Sequence, residues 1–307
     1  MLREDRLLEG AFDSHAHGYP EFTLGMPPRV ENTEWVHLAS RAGMRGFIVK
    51  SHTFPTTTTA RMLNQLEPGL QVYGGITCNP PTGGLSPLAV EIAAQTGGRV
   101  VWMPTWAAQQ NPPKPSIFRE RMKPYISTLE TDPQWVPDLS ILGADGALLP
   151  EVIRIIDLCA RYGMVLATGH LPIASSLILA EEATARNARL LVTHPLSGSI
   201  GATIEDQKAL VKLGATIEHV FVGCMPMHQR MDPKRIVEAI GAVGVEQCVM
   251  GSDSIEGWNP PAPELLRMYI GTLLALGVDE GAVRAMTHEN PEDLFRLDVW
   301  PTPEAAG

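Results

Sequence analysis

No CxxC pair occurs in this sequence. Its four cysteines stand singly at 78, 159, 224 and 248, which removes the thiolate zinc sites and dithiol redox motifs that depend on that spacing. Basic residues are also in deficit: 24 Lys and Arg face 34 Asp and Glu, for a formal charge of −10. The basic stripe that nucleic-acid binding requires is therefore not expected. There is no run of 18 apolar residues, and the opening MLREDRLLEG mixes charges without an apolar signal segment. Neither a membrane span nor a secretion signal is expected, and a soluble cytoplasmic protein is the default. Hydrophobic residues at 44% and charged residues at 19% match an ordinary folded chain and exclude disordered or fibrous classes.

What the chain does contain is a regular alternation of short β-rich runs with helical patterns. Eight runs stand out: GAFDSHAH (10–17), GFIVKSH (46–52), LQVYGGITCN (70–79), RVVWMPT (99–105), GMVLATGH (163–170), RLLVTHP (189–195), ATIEHVFV (215–222) and EQCVMGSD (246–253). Helical stretches such as TEWVHLASRAG, PLAVEIAAQTG, EVIRIIDLCARYG and DPKRIVEAIGAVG separate them, each ending at a glycine (43, 97, 163 and 244) suited to a left-handed C-cap. Runs and helices in this order predict an α/β fold with a parallel sheet, and eight repeats at 307 residues predict a (β/α)8 TIM barrel spanning 1–307 as one domain. Successive run ends are close to the ~30 residues of a βα unit, except between 105 and 170. An insertion after strand 4, at about 106–149, accounts for that gap. It is proline-rich, carries Lys114, Arg119, Arg121 and Lys123, and ends on LSILGADGALLP, where GADG predicts a hairpin turn. Loops after barrel strands form the catalytic rim, so this segment is placed to act as a lid, and its basic cluster is either a solvated charge run or an attractor for an anionic substrate.

Of nine histidines, five (His15, His17, His52, His170 and His194) stand at the carboxyl ends of predicted strands, where side chains enter the shared mouth of a barrel. His15 and His17 alternate along a strand and therefore share a face. Asp253, in VMGSDS, ends the eighth run, with Gly251 leaving space beneath it. Four imidazoles and a carboxylate make a nitrogen and oxygen donor set suited to zinc, with manganese, iron or nickel as alternatives.

These residues resemble the amidohydrolase superfamily of metal-dependent barrel hydrolases: HAH on the first strand (His15, His17), TGH on the fifth (His170), THP on the sixth (His194), GSDS on the eighth (Asp253), and a closing HENPEDLFRL similar to the Asn-containing helix that often ends such barrels. The resemblance implies a divalent metal, one ion or two, held by His15, His17, His170, His194 and Asp253. It also implies that Asp253 orients the attacking water and passes its proton on. One departure stands out. Members with two metals commonly have a bridging carbamylated lysine or a glutamate on strand 4, whereas VVWMPTW offers Trp102, Pro104 and Trp106. Lys50 shares inward parity with His52 on strand 2 and is a candidate displaced ligand, a substrate contact or an acid/base group.

His52, Trp102, Trp106 and Glu218 are candidate substrate contacts, with Tyr19 a further apolar wall, and His194 or Lys50 candidates to stabilise an oxyanion. Glu218 and His219 are adjacent, so only one of them enters the barrel. The expected reaction is hydrolysis of a C–N or C–O bond (amide, cyclic amide or lactone) of a small molecule. The alternatives are a mononuclear decarboxylase or deaminase of the same superfamily, and a non-catalytic metal- or ligand-binding barrel. The expected partner is a small-molecule substrate, and a homo-oligomer would be ordinary for such a barrel.

Overall fold

A computed structural model describes residues 2–110, 117–131 and 138–297. Eight strands run in the order β1 (Phe12–His17), β2 (Gly46–Lys50), β3 (Gln71–Thr77), β4 (Gly98–Trp102), β5 (Val165–Ala167), β6 (Arg189–Val192), β7 (Thr216–Val220) and β8 (Cys248–Gly251), each parallel to its neighbour. The ring closes just past the strand ends, where Asp253 N–H donates to His15 O at 2.7 Å and His17 N–H donates to Ser254 O at 3.2 Å. Helices lie between the strands, as the alternation predicts.

The period-2 pattern of each strand sorts its side chains into two cores. Phe12, Ile48, Tyr73, Val100, Trp102, Val165, Leu191 and Val249 point inward, and Phe295 and Leu297 from the chain's end pack with them. The alternate residues, Phe47, Val49, Val101, Leu166, Ile217 and Met250 among them, join the apolar faces of the helices. The helix Pro150–Tyr162 shows how one sequence stretch does this. Proline and Glu151 occupy its first turn, and Val152, Ile155, Ile156 and Cys159 form a buried stripe at helical spacing. It stops at Gly163, whose φ of 65° lets its N–H reach back to the carbonyls of Cys159 and Ala160.

Apart from β1, which ends at His17 as expected, the observed strands are shorter than the predicted runs at their carboxyl ends. β5 stops at Ala167 and β8 at Gly251, because the residues that follow leave the ladder to form the rim. The predicted GADG turn is present: Leu142 bridges Leu148 in antiparallel fashion, and Gly143 N–H donates to Ala147 O at 2.8 Å. Within the insertion, short helices at Ile117–Met122 and Thr128–Thr131 place Met122 and Leu129 against Trp106, with Phe22 and Ile255 alongside. Of the predicted basic cluster, Lys114 and the side chain of Arg119 lie outside the described residues. Lys123 pairs with Glu130 at 3.0 Å, both largely exposed. The closing Asn290 has its side-chain amide donating to Val245 O and Cys248 O, which ties the last helix to the start of β8.

Candidate metal centre

β1 delivers His15 and His17 to the mouth through an irregularity in its pairing with β2, between Asp13 and Ala16. Asp13 fixes that segment: its Oδ1 accepts from His15 N–H at 3.0 Å and from Ser252 N–H at 2.8 Å, so one buried carboxylate holds the β1 end and the loop that carries Asp253. Gly251 is required beneath them. A Cβ there would lie 2.9 Å from both the His15 Cβ and the Ser14 Oγ, so the space read from the sequence is the space His15 occupies.

His15 Nε2, His17 Nε2 and Asp253 Oδ1 form a triangle with edges of 3.3, 3.1 and 3.2 Å. The outer nitrogens of both rings face carboxylates. His15 Nδ1 donates to Glu218 Oε2 at 2.9 Å, and His17 Nδ1 lies 3.3 Å from Glu21 Oε2. A ring whose Nδ1 carries the proton presents a lone pair at Nε2. Three acceptor atoms then converge on one point, and such a point calls for a cation. Tetrahedral ligands about 2.0–2.1 Å from a zinc ion lie roughly 3.3 Å from one another, which is this triangle's scale. The buried Nδ1 atoms of His170 and His194 have no hydrogen-bond partner among the described residues, and His194 Nε2 is 3.9 Å from Asp253 Oδ2. The residues present fit a divalent metal.

Charge at the site follows from burial and from these contacts. Burial drives His15, His52 and His170 well below the usual imidazole range and His194 down to about 4. His17 goes the other way: burial opposes its charge, but Glu21 and Asp253 on either side of the ring raise it. Burial also opposes charge on Asp253, yet His15, His17 and His194 hold its carboxyl well below the usual carboxylate range. Lys50 Nζ is 3.1 Å from His15 Nε2, and burial lowers its pKa against the pull of Asp253, Glu218 and Glu21.

Backbone strain falls on two of these candidate residues. His194 and Asp253 have φ of 27° and 53°, a left-handed region that side chains other than glycine rarely adopt. Gly169, with φ of 60°, precedes His170 where a Cβ would meet Met103 O at 2.3 Å, so no side chain fits there.

Lys50, His52, Trp106, His170, His194 and Asp253 all line one cavity of about 140 Å³, far more than a single water needs. His52 is fixed by a buried network: Asn79 Nδ2 donates to Thr105 Oγ1 at 2.7 Å, and Thr105 Oγ1 lies 2.7 Å from His52 Nδ1. Thr105, accepting from Asn79, has its own hydrogen free for His52 Nδ1, and in that tautomer Nε2–H is the ring's donor. Two expected substrate contacts take other places. Trp102 is 1% exposed and lies below Lys50 and His15 as a floor, and Glu218 is fully buried, bonded to His15 and Ser14. Tyr19 is only part-buried, with its hydroxyl directed to Leu24 O. The Glu218/His219 alternative resolves in favour of Glu218, which bonds His15 inside the barrel, while His219 shares the parity of Ile217 in the helix-side core.

Sequence reasoning missed Glu21, the role of Asp13, and the Asn79–Thr105 support of His52. An acidic residue four positions after HAH was the only hint of Glu21. It sits with His17 and His52 in a second cluster of potential ligand atoms, and its Oε1 accepts His52 N–H at 2.7 Å.

Comparison with known proteins agrees with this architecture. The family of unknown function DUF6282 matches residues 10–218. No curated protein matches the chain in sequence. Among solved structures, an amidohydrolase from Pseudomonas aeruginosa superposes with a TM-score of 0.65 at 13% identity, over 98% of this chain and 100% of that one. An organophosphorus hydrolase from Deinococcus radiodurans gives 0.57 at 16%, over 96% and 94%. The TatD homologue YjjV of Escherichia coli K12 gives 0.53 at 14%, over 94% and 99%. The chain therefore shares the fold of the amidohydrolase-like barrels.

Proposed function

The chain belongs to the family of unknown function DUF6282, and from the site it builds we propose that it is a metal-dependent hydrolase acting on a C–N or C–O bond of a small molecule. The observation that carries this reading is the triangle of His15 Nε2, His17 Nε2 and Asp253 Oδ1, three lone-pair atoms within 3.3 Å of one another at the carboxyl end of a barrel. That the structural neighbours are an amidohydrolase and other hydrolases supports it.

His15, His17 and Asp253 would hold the ion, with His170 and His194 beside it, and zinc suits the donor set best. A divalent metal there supplies Lewis-acid polarisation and a water acidified toward about pH 7. The protein's own groups do the rest. Asp253 is ionised, and its Oδ2 is free of the triangle, so it accepts a proton from the attacking water and returns it to the leaving group. Lys50 Nζ, lining the same cavity, donates to the developing oxyanion, and the Nε2–H of His52 orients the substrate.

Metal content per chain, measured on wild type and His15→Ala purified without added metal, tests the reading together with a turnover screen on simple lactones, cyclic amides and amides. Bound metal that is lost in His15→Ala, with hydrolysis abolished by Asp253→Asn in a folded protein, is the expected result. Carbon dioxide release without net addition of water would move the assignment to a decarboxylase, and ammonia released from amino-substituted rings with none of the lactones, cyclic amides or amides cleaved would move it to a deaminase. No metal after reconstitution would remove it.

A further inference from the structure

The cavity of the metal centre is also lined by Arg121, His228 and Glu256, three charged side chains that the proposed chemistry leaves unused. Glu256 is 8% exposed and its two oxygens are divided. Oε2 accepts from Asn259 Nδ2 at 2.8 Å, which leaves Oε1 to serve both Arg121 Nη1 at 3.4 Å and His228 Nδ1 at 3.5 Å. Both contacts are longer than the about 2.7–2.9 Å of a strong charge-assisted bond. Because the second oxygen is committed to Asn259, Glu256 cannot grip the guanidinium with two parallel bonds.

Arg121 is nonetheless held in place. Its guanidinium lies over the Trp106 ring, 5.1 Å from the centroid, while 43% of the side chain stays exposed. Among the described residues only Glu256 pairs with it, so further donors are left for a ligand. On His228, burial works against a proton, but the hydrogen bond to Glu256 and the attraction of Glu256 and Asp253 raise its pKa. A guanidinium and an imidazole thus share one carboxylate oxygen at the cavity wall. Trp106 joins this end to the metal end, since it also stacks on His52 at 4.7 Å and on Phe22 at 4.1 Å.

We propose that Arg121 is the specificity-determining residue of this site and binds a carboxylate carried by the substrate, so that the substrate class is a small, flat carboxylic acid lying along Trp106 with its reacting bond toward His194 and Asp253. The assignment of the reacting end rests on the hydrolase reading; the carboxylate end rests on Arg121 alone. Two parallel N–H···O bonds to the incoming carboxylate replace the long contact to Glu256, whose Oε1 stays with His228.

The test is calorimetric titration of benzoate and its uncharged, non-hydrolysable isostere nitrobenzene into the zinc-loaded protein, as wild type, Arg121→Met and Glu256→Gln. Met keeps an apolar stem on Trp106, and thermal melts check that each variant is folded. Benzoate is expected to bind wild type about tenfold or more tighter than nitrobenzene. Arg121→Met should remove most of that preference, and Glu256→Gln should increase it by releasing the competing carboxylate. A benzoate preference that survives Arg121→Met would mean that the metal draws the anion and would overturn the proposal, as would equal binding of the two probes to wild type. Binding needs no turnover, so an Arg121-dependent preference in a protein that hydrolyses nothing would uphold the carboxylate site and remove only the hydrolase reading.

Discussion

At the scale of single residues, the centre depends on carboxylates that touch no ligand position themselves. Glu218 accepts from His15 Nδ1 and from Ser14 Oγ, at 2.9 and 2.8 Å, and so decides which nitrogen of His15 carries the proton. Burial raises its pKa, with His194 and the Ser14 hydrogen bond acting against the rise. Glu218→Gln preserves shape and one acceptor but loses the charge that makes His15 a better donor. Metal affinity, measured by competition with a chelator, is expected to fall about 10- to 100-fold, with the melting temperature of the metal-free protein little changed. Unchanged affinity would reduce Glu218 to a packing role. Glu21 stands in the same relation to His17, and Asp13 holds the two backbones that present His15 and Asp253.

At the scale of elements, each strand end is shaped by what its neighbour leaves free. Gly169 follows β5 and packs against the carbonyls of Met103 and Pro104 past β4, at 2.3 and 2.7 Å from where a Cβ would stand. Gly169→Ala therefore combines a left-handed backbone with a collision against main chain, and is expected to cost about 3 kcal/mol or more. Gly201→Ala is the control: its φ is 66° but no atom lies within 4 Å, so it carries only the backbone strain of about 1 kcal/mol. Chemical denaturation of the two variants should separate strain from collision. Similar losses in both would show that the β4–β5 rim gives way easily. The insertion's short helices act at this scale too, since Met122 and Leu129 on Trp106 set where Arg121 meets the cavity.

At the scale of the whole molecule, acid should unfold this barrel. Burial keeps His15, His52, His170, His194 and His219 neutral in the folded state. His219 isolates the effect, because it is pushed down to about 4 and neither ring nitrogen has a hydrogen-bond partner among the described residues. The unfolded chain takes up that proton near pH 6.5, while the folded chain resists it until about 4. Stability is thus complete above pH 6.5 and falls as pH drops toward 4, by about 3 kcal/mol from this residue. His17, Asp13 and Glu218, whose pKa values are raised, oppose the trend by favouring folding in acid, so the residue-specific test is the informative one. His219→Leu, at a cavity lined in part by Leu196, Val222, Met231 and Ile236, should flatten the denaturation free energy between pH 6.5 and 4 without lowering it at pH 8. An unchanged slope would place the acid sensitivity elsewhere.

The sequence by itself determined the barrel, its insertion and the places where histidines reach the mouth. Those follow from local period: a strand alternates its faces, a helix repeats at 3.6, and glycine ends the helices at 43, 97, 163 and 244, all at positive φ. His15, His17, His170, His194 and Asp253 were legible because each closes a predicted strand. Only the tertiary structure decided that Glu218 and not His219 faces inward, since parity fixes that the two differ but not which is which. It alone showed Glu21 beside His17, Asp13 spanning β1 and β8, Trp102 as floor, and Arg121 brought from the insertion to Glu256. These contacts join residues far apart in the chain, and no local pattern encodes the distance between two loops. That distance is set by closure of eight strands into one ring.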